Sequence, residues 1–298
     1  PDVLVSGTAE ANAVIDVTLT DSNGTPVNQQ VTADGSGAWT LSTTELDASG
    51  LADGAATVSA TATDAAGNVS APATANVTID NTAPTAPAVA PDLVDASDTG
   101  TSNTDDITSD TTPTVSGTGG TSGDTVTLYA DGVPVGTGTV AGDGSYSITP
   151  DSPLADGTPA LTVSFTDPSG NESVQSPALP ITVDSSAPSS PTIAIPIEGD
   201  NIISGDEAPD VLVSGTAEPN AVIDVTLTDS SGGPVTQQVT ADGSGNWTLN
   251  TNELGASALA DGAATVSATA TDAAGTVSAP PTATVTIDAT APTAPTAS

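Results

Sequence analysis

Apolar and polar residues alternate one for one along short stretches of this chain. In the run AVIDVTLT at 221–228, Ile223, Val225 and Leu227 share one face while Asp224, Thr226 and Thr228 share the other. That is the signature of a half-buried strand, because successive strand side chains point to opposite sides. Similar runs surround it: VLVSGTA at 211–217, VTQQVTA at 235–241, NWTLNT at 246–251, AATVSATAT at 263–271 and TATVTID at 282–288. The breaks carry SSGGP, DGSGN, LADG and DAAG, rich in the Gly, Asp and Asn that turns require. A short strand around Ile202–Ile203 brings the total to seven.

The same pattern recurs. PDVLVSGTAE stands at Pro1–Glu10 and again at Pro209–Glu218, and residues 1–90 match residues 209–298 at 74 of 90 positions without a gap. TIDNTAP ends at Pro84, TVDSSAP at Pro188 and TIDATAP at Pro292, so a more divergent unit lies between the two copies and the period is 104 residues. A period of that length is a whole domain rather than a solenoid rung. Seven short strands in about 100 residues is the count of an immunoglobulin-like sandwich, whereas a jelly roll needs about eight. The expected fold is therefore all-β, three tandem immunoglobulin-like sandwiches in a head-to-tail rod. Residues 1–84 form a unit lacking its own first strand, 85–188 the divergent unit, 189–292 the third, and 293–298 the start of the next linker. The Pro-rich joints TAPTAPAVAP at 82–91 and APSSPTIAIPIEG at 187–199 favour stiff, extended connections. Each unit with its linker should add on the order of 40 Å, given the rise of a strand.

Composition sharpens this picture at one point. The chain has no Lys, Arg, His or Cys against 37 Asp plus Glu, for a net charge of −37. No side-chain salt bridge can therefore form, so each carboxylate must be solvated, accept hydrogen bonds or bind a metal. Nucleic acid and anionic membrane are poor partners for such a surface. Hydrophobic residues make up 36% and alternate in order, which argues against disorder. With aromatics at only 2%, the core is built from Val, Ile, Leu and Ala, and such small cores gain from ligand-linked stability. No run approaches the roughly 18 apolar residues of a membrane span. No signal peptide is visible, and the chain opens within the strand pattern, as a piece of a longer array would.

The DxT/SAP ends at Asp80, Asp184 and Asp288 combine with the GTAExN turns at Gly7–Asn12 and Gly215–Asn220 and with TDAAGN at Thr63–Asn68. The second unit adds DTGTSNTDDIT at Asp98–Thr108, PTVSGT at Pro113–Thr118 and LADG at Leu154–Gly157. Across essentially its whole length the chain resembles the bacterial Ig-like domains that form the extender regions of giant repeats-in-toxin (RTX) adhesins. The resemblance implies type I secretion to the bacterial cell surface, a role in cell adhesion and biofilms, and a monomeric, calcium-rigidified spacer that holds a terminal ligand-binding domain away from the cell. It also shows departures. Ala56, Pro159 and Ala264 stand where the family often places a Tyr or His, Thr276 replaces the Asn of TDAAGN, and Gly120 replaces a Glu.

Calcium takes six to eight hard oxygen ligands. In a head-to-tail stack of such sandwiches, the last Asp of one unit meets the upper loops of the next. Junction one would then gather Asp80 with Asp98, Asp105 and Asp167, and junction two Asp184 with Asp200, Glu218 and Asp272. Asp106, Asn171, Asn201, Asp143 and Asp242 are second choices. The competing reading is that Asp serves turns by bonding the backbone two residues on. It is preferred for Asp34, Asp143 and Asp242, and for Asp53, Asp156 and Asp261 of LADG.

Other chemistry is thin. Nucleophilic triads lack a His or Lys base, and zinc sites of the His/Cys kind are impossible. Paired carboxylates could hydrolyse glycosides, but the aromatic platforms for sugar are scarce. Trp39, Tyr146 and Trp247 occupy one repeat position and read as packing residues. GGTSGD at 119–124 lacks the spacing of a calcium nonapeptide, and the outward Thr57, Thr61 and Thr63 suit a solvent-facing strand better than an ice-binding face. The rival from another class is an Ig-like binding module for a polysaccharide or host protein, best placed in unit 85–188 with Tyr129, Tyr146 and Phe165. A third possibility is a linker inside a secreted hydrolase.

Overall fold

A computed structural model of the chain describes residues 4–41, 46–209, 211–249, 256 and 259–295. The described elements are strands apart from one 3-10 turn at Ile197–Gly199. The chain divides into two compact units, one of residues 1–92, 116–148 and 161–179, the other of residues 93–115, 149–160 and 180–298.

In the first unit, the first repeat forms an antiparallel sheet in the order Pro26–Thr32, Val14–Thr20, Gly54–Thr63, Ala73–Ile79. Val5–Thr8 pairs separately with Ala38–Leu41. Ile15, Val17 and Leu19 are at most 1% exposed, and they pack with Leu41, Leu46 and Ile79. Alternation along the strand has sorted these side chains, as expected from the period of two. In the same unit Thr125–Ala130 of the second repeat pairs with Val133–Thr139 through a turn at Asp131 and Gly132. Both turn residues have positive φ, 50° and 79°, the geometry of a tight hairpin whose twist matches its strands. Beneath it Tyr146 meets Phe165 edge to face, with ring centroids 5.7 Å apart.

In the second unit, the third repeat forms a five-stranded sheet in the order Ile202–Ser204, Thr282–Asp288, Gly262–Thr271, Val222–Thr228, Pro234–Thr240. Val213–Thr216 pairs with Asn246–Leu249, and both sets bury one apolar core around Trp247. With Ile202–Ser204, the expected seventh strand is present. It is half of a split first strand. The Thr192 N–H donates to Thr216 O at 2.7 Å and the Ala194 N–H to Ser214 O at 2.8 Å, after which the chain crosses over. Ile202–Ser204 then pairs in parallel with Thr286–Asp288 of the other sheet. The second repeat repeats the second half of this device, with Ile107–Thr108 parallel to Thr182–Val183.

One packing unit recurs three times. A Cβ on Gly7 would lie 2.7 Å from the Trp39 ring, and one on Gly215 would lie 2.7 Å from the Trp247 ring. Gly117 stands in the same way against the Tyr146 hydroxyl. The GT dipeptide of each repeat is thus the floor on which the repeat's aromatic lies, and the expected packing role of Trp39, Tyr146 and Trp247 holds.

Candidate metal-binding junctions

The turns that follow Gly54–Thr63, Ala160–Thr166 and Gly262–Thr271 are built alike. Asp64 accepts from the N–H groups of Ala66 and Asn68 and from the Asn68 amide. Asp167 accepts from Ser169 N–H, Asn171 N–H and the Asn171 amide. Asp272 accepts from the Thr276 N–H at 2.9 Å and lies against the Thr276 hydroxyl. Donated hydrogen bonds stabilise the ionised form; the Asn171 amide foremost, then backbone N–H groups, hold the Asp167 carboxyl below its ordinary value.

The second and third of these turns reach the residues that follow the last strand of the preceding repeat. In the first unit, the Ser169 hydroxyl donates to the Asp80 carboxylate at 2.9 Å, and the Asn171 amide donates to the Asp80 carbonyl at 3.0 Å. Asp80 and the Asp167 turn are therefore brought together, but through Ser169 and Asn171. In the second unit, the Thr276 hydroxyl is 3.0 Å from Ser186 O. Thr276, at a position where the family pattern has Asn, thus still contacts the strand end. Asp184, Glu218 and Asp272 line one cleft of about 260 Å³ together with Ile107, Thr182 and Ala274.

The structure places Asp98 and Asp105 as follows. Both belong to the second unit, on the side of Asp184. The Asp184 N–H donates to Thr108 O at 2.9 Å, and the Thr108 hydroxyl donates to Ser97 O at 2.5 Å. One residue on from Asp98, the Thr99 hydroxyl donates to Ala274 O at 2.8 Å. The reason is the split first strand. Its second half runs beside the end of the last strand, and the loop that connects to it is carried to the Asp184 end.

Asp200 stands at a corner of the chain. Its carboxylate accepts from the Ile202 N–H at 2.9 Å, as Asp105 does from the Ile107 N–H at 3.2 Å. Each precedes a residue with positive φ, Asn201 at 64° and Asp106 at 58°. The carbonyls of these residues accept the N–H groups of Thr286 and Thr182. Asp105 with Asp106, and Asp200 with Asn201, are thus matched corners that start the parallel strand. Asn201 adds a bond from the Ile197 N–H at 2.9 Å.

Turn service holds for Asp34, Asp143 and Asp242, each of which accepts N–H groups from its own hairpin. It does not describe the LADG aspartates. Asp53 accepts from Asn81 N–H at 2.6 Å and from the Thr82 hydroxyl at 2.5 Å. Asp156 accepts from Ser185 and from the Ser186 hydroxyl, and Asp261 from Ala289 N–H and the Thr290 hydroxyl. In every repeat this Asp ties its loop to the linker entrance. The readable signal was the hydroxyl two residues after each strand-ending Asp.

Each repeat therefore presents the same clasp. A model of the bacterial Ig-like domain matches residues 4–81, 85–185 and 197–289. The chain belongs to the bacterial Ig-like domain family. Solved structures similar to these Ig-like repeats include a tetra-tandem repeat in the extending region of a large adhesion protein, 31% identical over 97% of this chain and 71% of that one, with a TM-score of 0.35. A Ca2+-stabilized adhesin with which an Antarctic bacterium reaches out and binds ice is 29% identical over 97% and 70%, with a TM-score of 0.39. A 1.5-MDa bacterial ice-binding adhesin is 26% identical over 97% and 91%, with a TM-score of 0.36. No curated protein matches the chain significantly.

A hard cation fits these Ig-like repeats best at Asp98. This residue is 5% exposed. One carboxylate oxygen accepts from the Asp106 N–H at 3.4 Å, and the other is buried without a hydrogen-bond partner. A buried charged oxygen without a partner is costly, and the sequence offers no side-chain cation to relieve it. Among the described residues no three acidic side chains converge as a metal cluster. Any cation would therefore draw on carbonyl, hydroxyl or water oxygens as well, which calcium accepts readily.

The divergent unit offers little open aromatic surface. Tyr146 is 5% and Phe165 0% exposed, and the Tyr129 hydroxyl is engaged by Glu172 at 2.5 Å. No helix among the described residues is long and apolar enough to cross a membrane.

Proposed function

We propose that this chain is a spacer segment of a secreted bacterial surface adhesin, in which calcium at the junctions between Ig-like repeats stiffens the array. In this reading the repeats are non-enzymatic and monomeric, the chain leaves the cell by type I secretion, and the array projects a distal ligand-binding domain for adhesion or biofilm formation. The supporting observation is the buried Asp98 oxygen without a partner, set one residue from the contact between Thr99 and Ala274. Junction one would use Asp80 and the Asp167 turn. Junction two would use Asp98 with Asp184 and Asp272, and Glu218 at the cleft wall. The near-identity of residues 1–90 and 209–298, 74 of 90 positions, suits a module repeated for length rather than for recognition.

Calcium titration calorimetry on the chelator-treated chain tests this. Saturable binding with a Ca2+-dependent rise in melting temperature is expected, because a ligand bound only by the folded state stabilises it by mass action. No heat and no thermal shift at millimolar calcium would sink the proposal.

A further inference from the structure

We propose that calcium has a different effect at each of the two junctions. At junction two it is required to close the joint, whereas at junction one it adds to a joint that side-chain donors already close. The inference rests on the calcium reading of the junctions and sets the order in which they loosen. Three repeat positions carry it. Ser169, Asn171 and Gly120 of the second repeat become Ala274, Thr276 and Glu218 in the third. The first change removes a donor, the second exchanges an amide for a hydroxyl, and the last adds a charge.

At junction one the Asp80 carboxylate is already met by protein. One oxygen accepts the Ser169 hydroxyl at 2.9 Å and the other the Thr82 N–H at 3.2 Å. The Asn171 amide donates to the Asp80 carbonyl at 3.0 Å. That amide and two backbone N–H groups also serve the Asp167 carboxylate. At junction two the balance is reversed. Asp184 accepts the Ser186 N–H at 3.1 Å, but among the described residues no donor of the third repeat reaches its carboxylate, because Ala274 stands at the position of Ser169. Asp184 instead shares a cleft with Glu218 and Asp272, and Asp98 brings a buried oxygen without a partner. The direct bonds that remain, from Thr99 to Ala274 O and from Thr276 to Ser186 O, end on backbone carbonyls and offset no charge. Like charges gathered together repel, and the chain has no Lys, Arg or His to answer them. A hard cation with oxygen ligands supplies the missing countercharge. Its removal leaves repulsion at junction two and hydrogen bonds at junction one.

Hydrogen exchange of the full chain, in millimolar calcium and then in excess chelator, reads both junctions at once. Chelation should speed exchange roughly tenfold or more at Ser185–Ser186 and Ala273–Thr276, and less than about twofold at Asn81–Thr82 and Ser169–Asn171. Ala274→Ser combined with Thr276→Asn gives junction two the donors of junction one and should bring its response down toward the smaller figure. Equal acceleration at both junctions, or a larger one at junction one, would overturn the inference while leaving calcium at the junctions in place. No acceleration at either junction would overturn it together with the calcium reading. A folded double variant that responds as the parent chain does would also overturn it, since the difference would then not lie in these donors. The comparison within the parent chain stands whether or not the variant folds.

Discussion

The hydroxyl of Thr99 donates to the backbone carbonyl of Ala274 across 2.8 Å, joining the loop that leads into Ile107–Thr108 to the turn that follows Gly262–Thr271. The neighbouring Gly100 has φ of 102°, and a Cβ there would collide with the Ala273 carbonyl. Gly100→Ala should therefore strain its own backbone and push the two segments apart. A positive-φ Ala alone costs roughly 1–2 kcal/mol. The expected result is faster amide exchange at Ala273–Gly275 with little change in the third repeat's core strands. Unchanged exchange there would show that the contact does not order the turn.

Asp98→Asn separates charge from shape. The substitution removes the negative charge from a buried carboxylate whose second oxygen has no partner, so without calcium the chain should be as stable or more stable. With calcium at about 100 times its dissociation constant, one lost site should remove up to about 2.7 kcal/mol of stabilisation. Thermal melts with and without chelator check both halves. A D98N chain that keeps the full calcium response would remove Asp98 from the site.

The glycine floor makes a graded prediction. Gly215→Ala must displace both the Trp247 ring and the Thr192 carbonyl, which a Cβ would approach to 1.8 Å, whereas the nearest atoms to a Cβ on Gly7 all belong to the Trp39 ring, at 2.7 Å and beyond. Overpacking costs typically about 1–3 kcal/mol. Gly215→Ala should lie at the upper end of that range and Gly7→Ala at the lower end. Denaturant unfolding followed by tryptophan fluorescence ranks them, and the reverse order would contradict the packing described.

Acid sensitivity should be concentrated at aspartates that accept several backbone N–H groups, as Asp229 does. Asp229 accepts from the Ala260 N–H, the Ser231 hydroxyl and the Gly233 N–H, in that order of effect, and these pull its carboxyl down to about 2. Its folded value lies below the ordinary 3.8. Its contribution is therefore fully present above about pH 4 and is lost as pH falls through about 2. Asp229→Asn should flatten the stability of the third repeat across that window while leaving neutral-pH folding intact. A pH series of denaturant melts on both chains gives the comparison.

Much of the architecture was legible in residue order. Ile223, Val225 and Leu227 alternate with polar neighbours and are all 0% exposed, and the short Ile202–Ile203 run is a strand. The site was less legible, because a first strand that changes sheets cannot be read from alternation. That crossing carries Asp98 to the end of Asp184 and turns Asp105 and Asp200 into corner residues. The LADG aspartates were hidden for a different reason. A DG pair looks the same whether its carboxylate bonds two residues on or, as with Asp53 and Asn81, a residue far along the chain that the pairing of Gly54 with Ile79 brings beside it.

Small-angle scattering from this chain in millimolar calcium and again in excess chelator tests the central claim most directly. The account predicts a fixed maximum dimension with calcium, and a shorter average with greater flexibility once calcium is removed. A profile unchanged by chelator would contradict it, and would mean that proline linkers and direct contacts such as Asn171 to Asp80 hold the repeats without a metal.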